Sequence, residues 1–266
     1  MSVIETTPTP AGTGQRIRPV PAVSRAIAIL RLLGQAKEPL NAKTISDALE
    51  LVPSTCLHIL RVLVSENLLI VDETSKRYRL GPGMLVLARS MMDTDLFVLS
   101  AQPALDEIAE QWKVTAIGVQ ILGLNQMVVT ALSRSQLPFR LHVDIGSRFP
   151  GLISATGRLV AAYSTVSDKA LKERFERLRW EQQISFEEWR AQVSEVARRG
   201  YSIDEGQYIS GVTLIAVPVM NRQQQLKHTI VTAGISDQAS EKQTRALIAD
   251  LRRHATNIAD EIYALR

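Results

Sequence analysis

The chain has 266 residues, a length that suits two domains of ordinary size better than one small domain. Apolar residues make up 45% of it, but no apolar run approaches the roughly 18 residues of a membrane helix, and a single cysteine excludes an internal disulfide framework. The net charge of +4 lies wholly in the first third, since residues 1–90 carry 11 lysines and arginines against 7 acidic residues, whereas residues 91–266 carry 20 of each.

A small basic domain joined to a neutral one favours a module that binds a polyanion, although ordinary scatter of surface charge explains the same count. The N-terminus has no basic-then-apolar export pattern, and a lone cysteine fits a reducing compartment. We therefore expect a cytoplasmic protein with no membrane partner.

Residues 1–19 are rich in Thr, Pro and Gly and predict a disordered tail. Beyond them, apolar residues recur three times at helical spacing, and two short strand-like runs follow. The predicted elements are helices at about 22–33, 42–50 and 53–66, and strands at 68–71 and 77–80 joined by the polar turn 72–76. Three helices and a hairpin in about sixty residues are typical of a winged helix-turn-helix, which we place at residues 20–82.

The third helix divides into a polar and an apolar face, as a DNA recognition helix does. Its apolar face comprises Leu57, Leu60 and Val64, with Cys56 a small core residue. The polar residues are Ser54, Thr55, His58 and Arg61. These side chains suit phosphates or base edges. Alternatively, Ser54 and Thr55 only cap the helix, and His58 is a plain surface residue.

The predicted hairpin carries Lys76, Arg77 and Arg79, which suit phosphates or the neighbouring minor groove. A solvated turn with no DNA contact is the alternative interpretation. After the break at Gly81–Gly83, an apolar helix over about 84–92 is predicted as a linker, which we place at residues 83–94.

Residues 95–266 mix strands with helices and predict an α+β domain with a largely antiparallel sheet. A long helix after the linker is predicted to end at about residue 112. Further helices are predicted at 157–163, 169–178, 186–199 and 240–265, and strands at 115–122, 127–132, 139–145, 214–220 and 229–235.

We find no catalytic motif, no metal-ligand spacing among the four histidines and no phosphate-binding loop, and we expect neither an enzyme, a metal site nor a cofactor. Two alternatives stay open: an enzyme joined to a DNA-binding domain, and an architectural DNA-binding protein without a ligand.

The small residues from Ser154 to Gly157 lie at the start of a predicted helix. Free backbone N–H groups at such a start favour an anion, so this segment predicts a carboxylate-binding position. A tight loop with an ordinary helix cap is the alternative.

Several stretches carry a family resemblance, in the order VSRAIAILRLL, ISDALELVPSTCLHILRVLVSENLL, KRYRLGPGMLVLA, DIGSRFPGLISATGRLVAAY and RRGYSIDEGQYISGVTLIAVPVM. They resemble the IclR (isocitrate lyase regulator) family of bacterial transcription regulators. The resemblance implies a GAF-like effector-binding domain after the winged helix-turn-helix. It also implies a ligand-responsive repressor or activator that binds a palindromic double-stranded DNA operator as a homodimer or homotetramer.

The resemblance also implies an effector pocket, for a small organic acid. The residues it assigns are Leu141, Ala155, Thr156, Asp204, Val212 and Leu214, with Thr232 a weaker candidate, and Gly157 belongs to the same helix start. Asp204 would accept a hydrogen bond from a hydroxyl or amide of the ligand and would repel a second carboxylate. Family members often have serines on the last hairpin, where this chain has Val231 and Ala233 or a shifted register. The pocket is therefore expected to be more apolar, which favours a larger, aromatic acid. The recognition region departs from the family at Glu50, Pro53 and His58, where Gly, a basic residue and Arg are usual.

Overall fold

The computed structural model describes residues 20–134, 143–236 and 239–263, with only the backbone described for 89–94. The predicted tail 1–19, Leu141 and most of the predicted strand 139–145 lie outside the described residues. The chain forms two compact units, and the boundary between them falls between Thr94 and Asp95.

The first unit is a helical cluster with a small sheet. Its elements are α1 (Pro21–Gln35), β1 (Leu40–Asn41), α2 (Ala42–Ala48), α3 (Pro53–Ser65), β2 (Leu69–Val71), β3 (Arg77–Leu80) and α4 (Gly83–Thr94). The three strands form an antiparallel sheet in the order β1-β3-β2. Its core joins α1, α2, α3 and the sheet through Ile29, Ile45, Leu60 and Leu69, each at most 1% exposed.

Sequence signals account for the ends of the first-unit helices. Asn41 caps α2 by accepting from the Thr44 N–H at 2.8 Å, and Pro53 occupies the first turn of α3, where its missing N–H costs nothing. α2 and α3 meet at 117°, within the usual range for a helix-turn-helix. The buried residues of α3 are Cys56, Leu60 and Leu63, so the predicted inward face of Leu57, Leu60 and Val64 was rotated.

The second unit is a six-stranded antiparallel sheet with helices on both faces. Its elements are α5 (Leu96–Trp112), β4 (Thr115–Ile121), β5 (Gln126–Leu132), β6 (Arg148–Pro150), α6 (Ser154–Ala162), α7 (Asp168–Phe175), α8 (Phe186–Arg199), β7 (Ser202–Glu205), β8 (Val212–Met220), β9 (Leu226–Ile235) and α9 (Glu241–Tyr263). The strand order is β6-β5-β4-β9-β8-β7. The predicted α+β class is confirmed.

Two apolar clusters sandwich this sheet. One packs α5 and α9 against residues such as Ile215 and Ile230, and the other packs α6 and α8 against residues such as Leu214 and Val231. Because both faces are covered, β8 is a nearly continuous apolar run rather than an alternating one. We call the second side the α6 face.

Several sequence predictions need correction in this unit. The helix predicted from residue 157 begins at Ser154, because Gly157 lies within its first turn and does not precede it. β1, β6 and β7 were missed, since two to four residues are too few to show a period. Val143 to Ile145, the described end of the predicted strand 139–145, is not a strand.

Among the described residues, no single helix is long and apolar enough to span a membrane. Only α2 and α3 taken together, as a bent pair, have that length and composition. The described residues also include no group of three or more His, Cys, Asp or Glu side chains placed to hold a metal ion.

Candidate functional site

Helix α3 presents an exposed polar stripe. Ser54, His58 and Arg61 are exposed on it and Thr55 is half-buried. Sequence reasoning missed Val62, which is 59% exposed one turn after His58 and completes the stripe. Its spacing from His58 could have revealed it. An exposed methyl group beside polar side chains is what a thymine methyl would contact.

The beginning of α3 adds backbone donors to this stripe. Its first intrahelical bond runs from the Cys56 N–H to the Val52 carbonyl at 3.0 Å, so the N–H groups of Ser54 and Thr55 have no intrahelical acceptor. Free donors and the positive end of the helix dipole favour a phosphate here. Cys56 itself is buried, which raises the pKa of its thiol and keeps it in the core as predicted.

The turn between β2 and β3 is a preformed wing. Asp72 accepts from the Ser75 and Thr74 N–H groups at 2.6 and 3.1 Å, and these bonds lower the pKa of Asp72. Lys76, Arg77 and Arg79 are all exposed on this wing. The Arg77 guanidinium also donates to the Pro39 carbonyl at 3.1 Å, so it braces the wing against the loop between α1 and β1.

In the second unit, the start of α6 presents successive backbone N–H groups. Ser154 has a left-handed φ of +61°, and the regular helix follows at once. The Gly157 N–H reaches the Ile153 carbonyl at 2.8 Å, whereas those of Ser154, Ala155 and Thr156 have no acceptor among the described residues. Successive N–H groups across a left-handed and a right-handed residue make an anion-binding nest.

Gly157 allows this helix start to pack closely. A Cβ at this position would lie 2.0 Å from the carbonyl carbon and 2.1 Å from the oxygen of Leu152, and both are backbone atoms. Only glycine therefore fits where the chain turns from β6 into α6. Gly157, which was expected at the effector site, thus lets the first turn of α6 pack against the Leu152 backbone.

One turn further along α6, Arg158 is buried in an ion pair with Asp204 of β7. The Nη1 to Oδ2 distance is 2.9 Å, and the two side chains are 1% and 0% exposed. Arg158 also donates to Gln192 of α8 at 2.6 Å and to the Gln207 side chain. Burial lowers the pKa of Arg158, and the neighbouring Asp204 charge opposes that shift.

Asp204 differs from its predicted role. Its Oδ1 accepts from the N–H groups of Gln207 and Tyr208, at 3.0 Å each, and its Oδ2 is held by Arg158. The predicted free negative charge that would repel a second carboxylate is therefore absent. Arg158 was missed because its partner lies 46 residues away in sequence.

The apolar wall of this site is the α6 face of β8 and β9. Val212 and Leu214 lie on it together with Val231 and Ala233, beside Ala155 of α6. Thr232 does not: it pairs with Ala116 and Ile215, which belong to the cluster on the opposite face. The strand period of two therefore removes Thr232 from the predicted pocket. Leu141 lies outside the described residues.

A separate open cleft of about 490 Å³ lies between α9 and the end of β8. Its walls include Tyr163, Arg252 and Tyr263, and it shares no residue with the set predicted to bind effector. The start of α6, where backbone N–H groups lie beside an apolar wall, is a separate candidate for the effector site.

Comparison with known families settles the class of protein. Residues 22–73 match the IclR helix-turn-helix domain, and residues 90–260 match the C-terminal domain of the bacterial transcriptional regulator IclR. The chain belongs to the IclR family. It is accordingly a DNA-binding transcription regulator with a helix-turn-helix in its first unit.

IclR relatives align over nearly the whole chain. A glycerol operon regulatory protein of Streptomyces coelicolor is 26% identical, with 94% of this chain and 99% of that protein covered. The crystal structure of an IclR regulator from Alicyclobacillus acidocaldarius has a TM-score of 0.79 and 25% identity, covering 91% and 99% of the two chains. An IclR homologue from Microbacterium hydrocarbonoxydans complexed with 4-hydroxybenzoate shares the fold, with a TM-score of 0.76, 18% identity and coverage of 91% and 99%.

The departure from the IclR pattern at Glu50 has a structural cost. Glu50 has a φ of +52°, in the left-handed region that glycine enters freely and other residues enter at a cost of about 1 kcal/mol. The usual family glycine therefore suits the turn between α2 and α3, and this chain tolerates strain there. Pro53 and His58, the other two departures, both lie on the exposed side of α3.

Proposed function

We propose that this IclR-family regulator changes its affinity for an operator when a small organic acid binds at the start of α6. The observation that carries the proposal is the nest of free N–H groups from Ser154 to Thr156, buried beside the apolar wall of Val212 and Leu214. A nest suits a carboxylate, and an apolar wall suits the body of an aromatic or aliphatic acid.

Two comparisons support this class of ligand. The Microbacterium hydrocarbonoxydans homologue was crystallised with 4-hydroxybenzoate, an aromatic monoacid. The Streptomyces coelicolor relative is named for a glycerol operon, which fits control of a catabolic operon. We infer the same kind of role here: a regulator without catalytic activity that acts in the cytoplasm, where its operator is.

The first unit carries the proposed operator contacts. Ser54, Thr55, His58 and Arg61 of α3 face the major groove, with Val62 beside them, and Lys76, Arg77 and Arg79 of the wing face the phosphates. The alternative of an architectural protein without a ligand does not use the buried donors at α6. A ligand-responsive regulator should bind one operator sequence far more tightly than other DNA and should respond to an acid, whereas an architectural protein should do neither.

We further propose that a second copy of the chain covers the apolar surface of the first unit. Val20, Val23 and Ile27 are exposed along one side of α1, and Leu85 and Val86 of α4 are 72% and 70% exposed. Neighbouring exposed apolar side chains on one element, unlike single scattered ones, favour an interaction site. A symmetric dimer would read two half-sites related by two-fold symmetry, so the operator should be an imperfect palindrome.

Arg61→Ala tests the recognition helix. Removing this exposed cation should weaken operator binding by about 1–3 kcal/mol and relax the preference at one base position, if it contacts a guanine. Fluorescence anisotropy at fixed salt, with operator variants at each position, measures both effects. Arg25→Ala, which removes an exposed cation from the other side of α1, is the matched control. Wild-type affinity for the Arg61→Ala variant would contradict the assignment of α3.

Lys76→Gln combined with Arg79→Gln tests the wing. Because phosphate contacts are independent of sequence, binding to specific and non-specific DNA should weaken together, and the dependence on salt should flatten by about 1–2 units of slope. Arg77 is left in place because it also holds Pro39. A wild-type slope, measured by anisotropy over a range of KCl concentrations, would mean that the wing does not touch the backbone of DNA.

A further inference from the structure

The ion pair between Arg158 and Asp204, which we call the charge pair, is fully enclosed. Both side chains are at most 1% exposed, and the guanidinium lies 5.5 Å from the centre of the Trp180 ring. Removing two charges from water is costly, and their attraction repays that cost only when further hydrogen bonds satisfy them. Gln192, Gln207 and two backbone N–H groups supply those bonds here.

The other polar groups packed on the charge pair are neutral. Gln192 and Gln207 are amides, and burial together with Asp204 raises the pKa of Tyr208, which keeps its phenol protonated. These three neighbours therefore add no net charge to the pair. The pair also lies on the α6 face, one helical turn from the nest at Ser154 to Thr156.

We propose that Arg158 sets the charge preference of the effector site, because it cancels the negative charge of Asp204 that would otherwise oppose an acid at the start of α6. The inference rests on the proposed function. It makes Arg158 a positioning and specificity residue rather than a ligand contact: the acid is bound by backbone donors, and Arg158 removes the field that would repel it. A low-dielectric interior strengthens such a field.

The test compares an acid with its uncharged amide. Dissociation constants for 4-hydroxybenzoate and 4-hydroxybenzamide are measured by isothermal titration on the full chain. Asp204→Asn leaves Arg158 unpaired and should raise the preference for the acid by about tenfold, because an uncompensated positive charge one helical turn from the nest favours the anion over the amide. Arg158→Gln should lower that preference by a similar factor. The double variant, Arg158→Gln with Asp204→Asn, should return it to within about threefold of wild type.

The ratio of the two constants isolates charge from packing, since a distorted site weakens acid and amide alike. If Arg158→Gln does not fold, Asp204→Asn and the double variant still carry the comparison, with thermal unfolding as the check of folding. Asp168→Asn, which removes an equal charge from an exposed pair with Arg190, is the matched control and should leave the ratio unchanged.

The outcomes separate the two proposals. A ratio that is the same in wild type, Asp204→Asn and the double variant overturns the role of Arg158 while leaving an acid effector in place. Failure of the wild-type chain to bind 4-hydroxybenzoate or any other acid of a small aromatic and aliphatic panel overturns the proposed effector class, and this inference with it.

Discussion

Gly157→Ala should destabilise the second unit by about 3 kcal/mol or more and abolish the binding of acids. The new Cβ would lie 2.0 Å from the Leu152 carbonyl carbon. Overpacking against side chains typically costs about 1–3 kcal/mol, and here the obstacle is backbone. The turn cannot retreat, because the neighbouring Gly151 already packs against Leu124, whose carbonyl oxygen is 2.4 Å from where a Cβ of Gly151 would lie. Urea unfolding followed by circular dichroism measures the loss.

Gly34→Ala is the control for this substitution. Its Cβ would meet only the Leu80 Cδ1 at 3.6 Å, an ordinary contact, and the position is helical. Replacing a helical glycine by alanine should leave stability unchanged or raise it by up to about 1 kcal/mol. A Gly157→Ala chain that unfolds at the same urea concentration as wild type, and still binds acid, would refute the close packing of α6 on the turn before it.

Thr156→Trp should abolish the response to effector. Thr156 is 2% exposed in the first turn of α6, so an indole there must displace the groups packed around the nest. We expect at least about a hundredfold loss of acid affinity, equivalent to about 2.7 kcal/mol. Operator binding should persist, because the change lies outside the first unit. Isothermal titration measures the loss.

Thr165→Trp is the matched control, because it adds the same ring at an exposed position in the same unit. It should bind acid as the wild type does. A Thr156→Trp chain with wild-type acid affinity would place the effector elsewhere, and the cleft lined by Tyr163 and Arg252 would be the first alternative.

The first unit was largely predictable from the spacing of apolar residues and from the residues that start helices and form turns. Pro53 marked the start of α3, and the polar run from Asp72 to Lys76 marked the wing. These signals are local, since a helix or a tight turn is decided by residues within a few positions of each other. The error in the inward face of α3 came from choosing among neighbouring apolar residues, which only the partner helices decide.

The candidate effector site needed more than local signals. The nest at Ser154 depends on a left-handed φ that no residue type announces, apart from glycine. The pairing of Arg158 with Asp204 depends on β7, a strand of four residues that was missed. Thr232 was misplaced because a family position was transferred without its strand register, and a shift of one residue moves a side chain to the other face.

The most direct test of a regulator switched by an acid is one titration. The full chain is bound to fluorescent DNA from the region flanking its own gene, and anisotropy is followed as 4-hydroxybenzoate and other small acids are added. We expect sequence-specific binding whose affinity changes by at least about fivefold, or roughly 1 kcal/mol of coupling, with at least one acid. The change should be lost in Thr156→Trp and kept in Thr165→Trp. Operator affinity that is the same with every acid, or equal affinity for unrelated DNA, would contradict it.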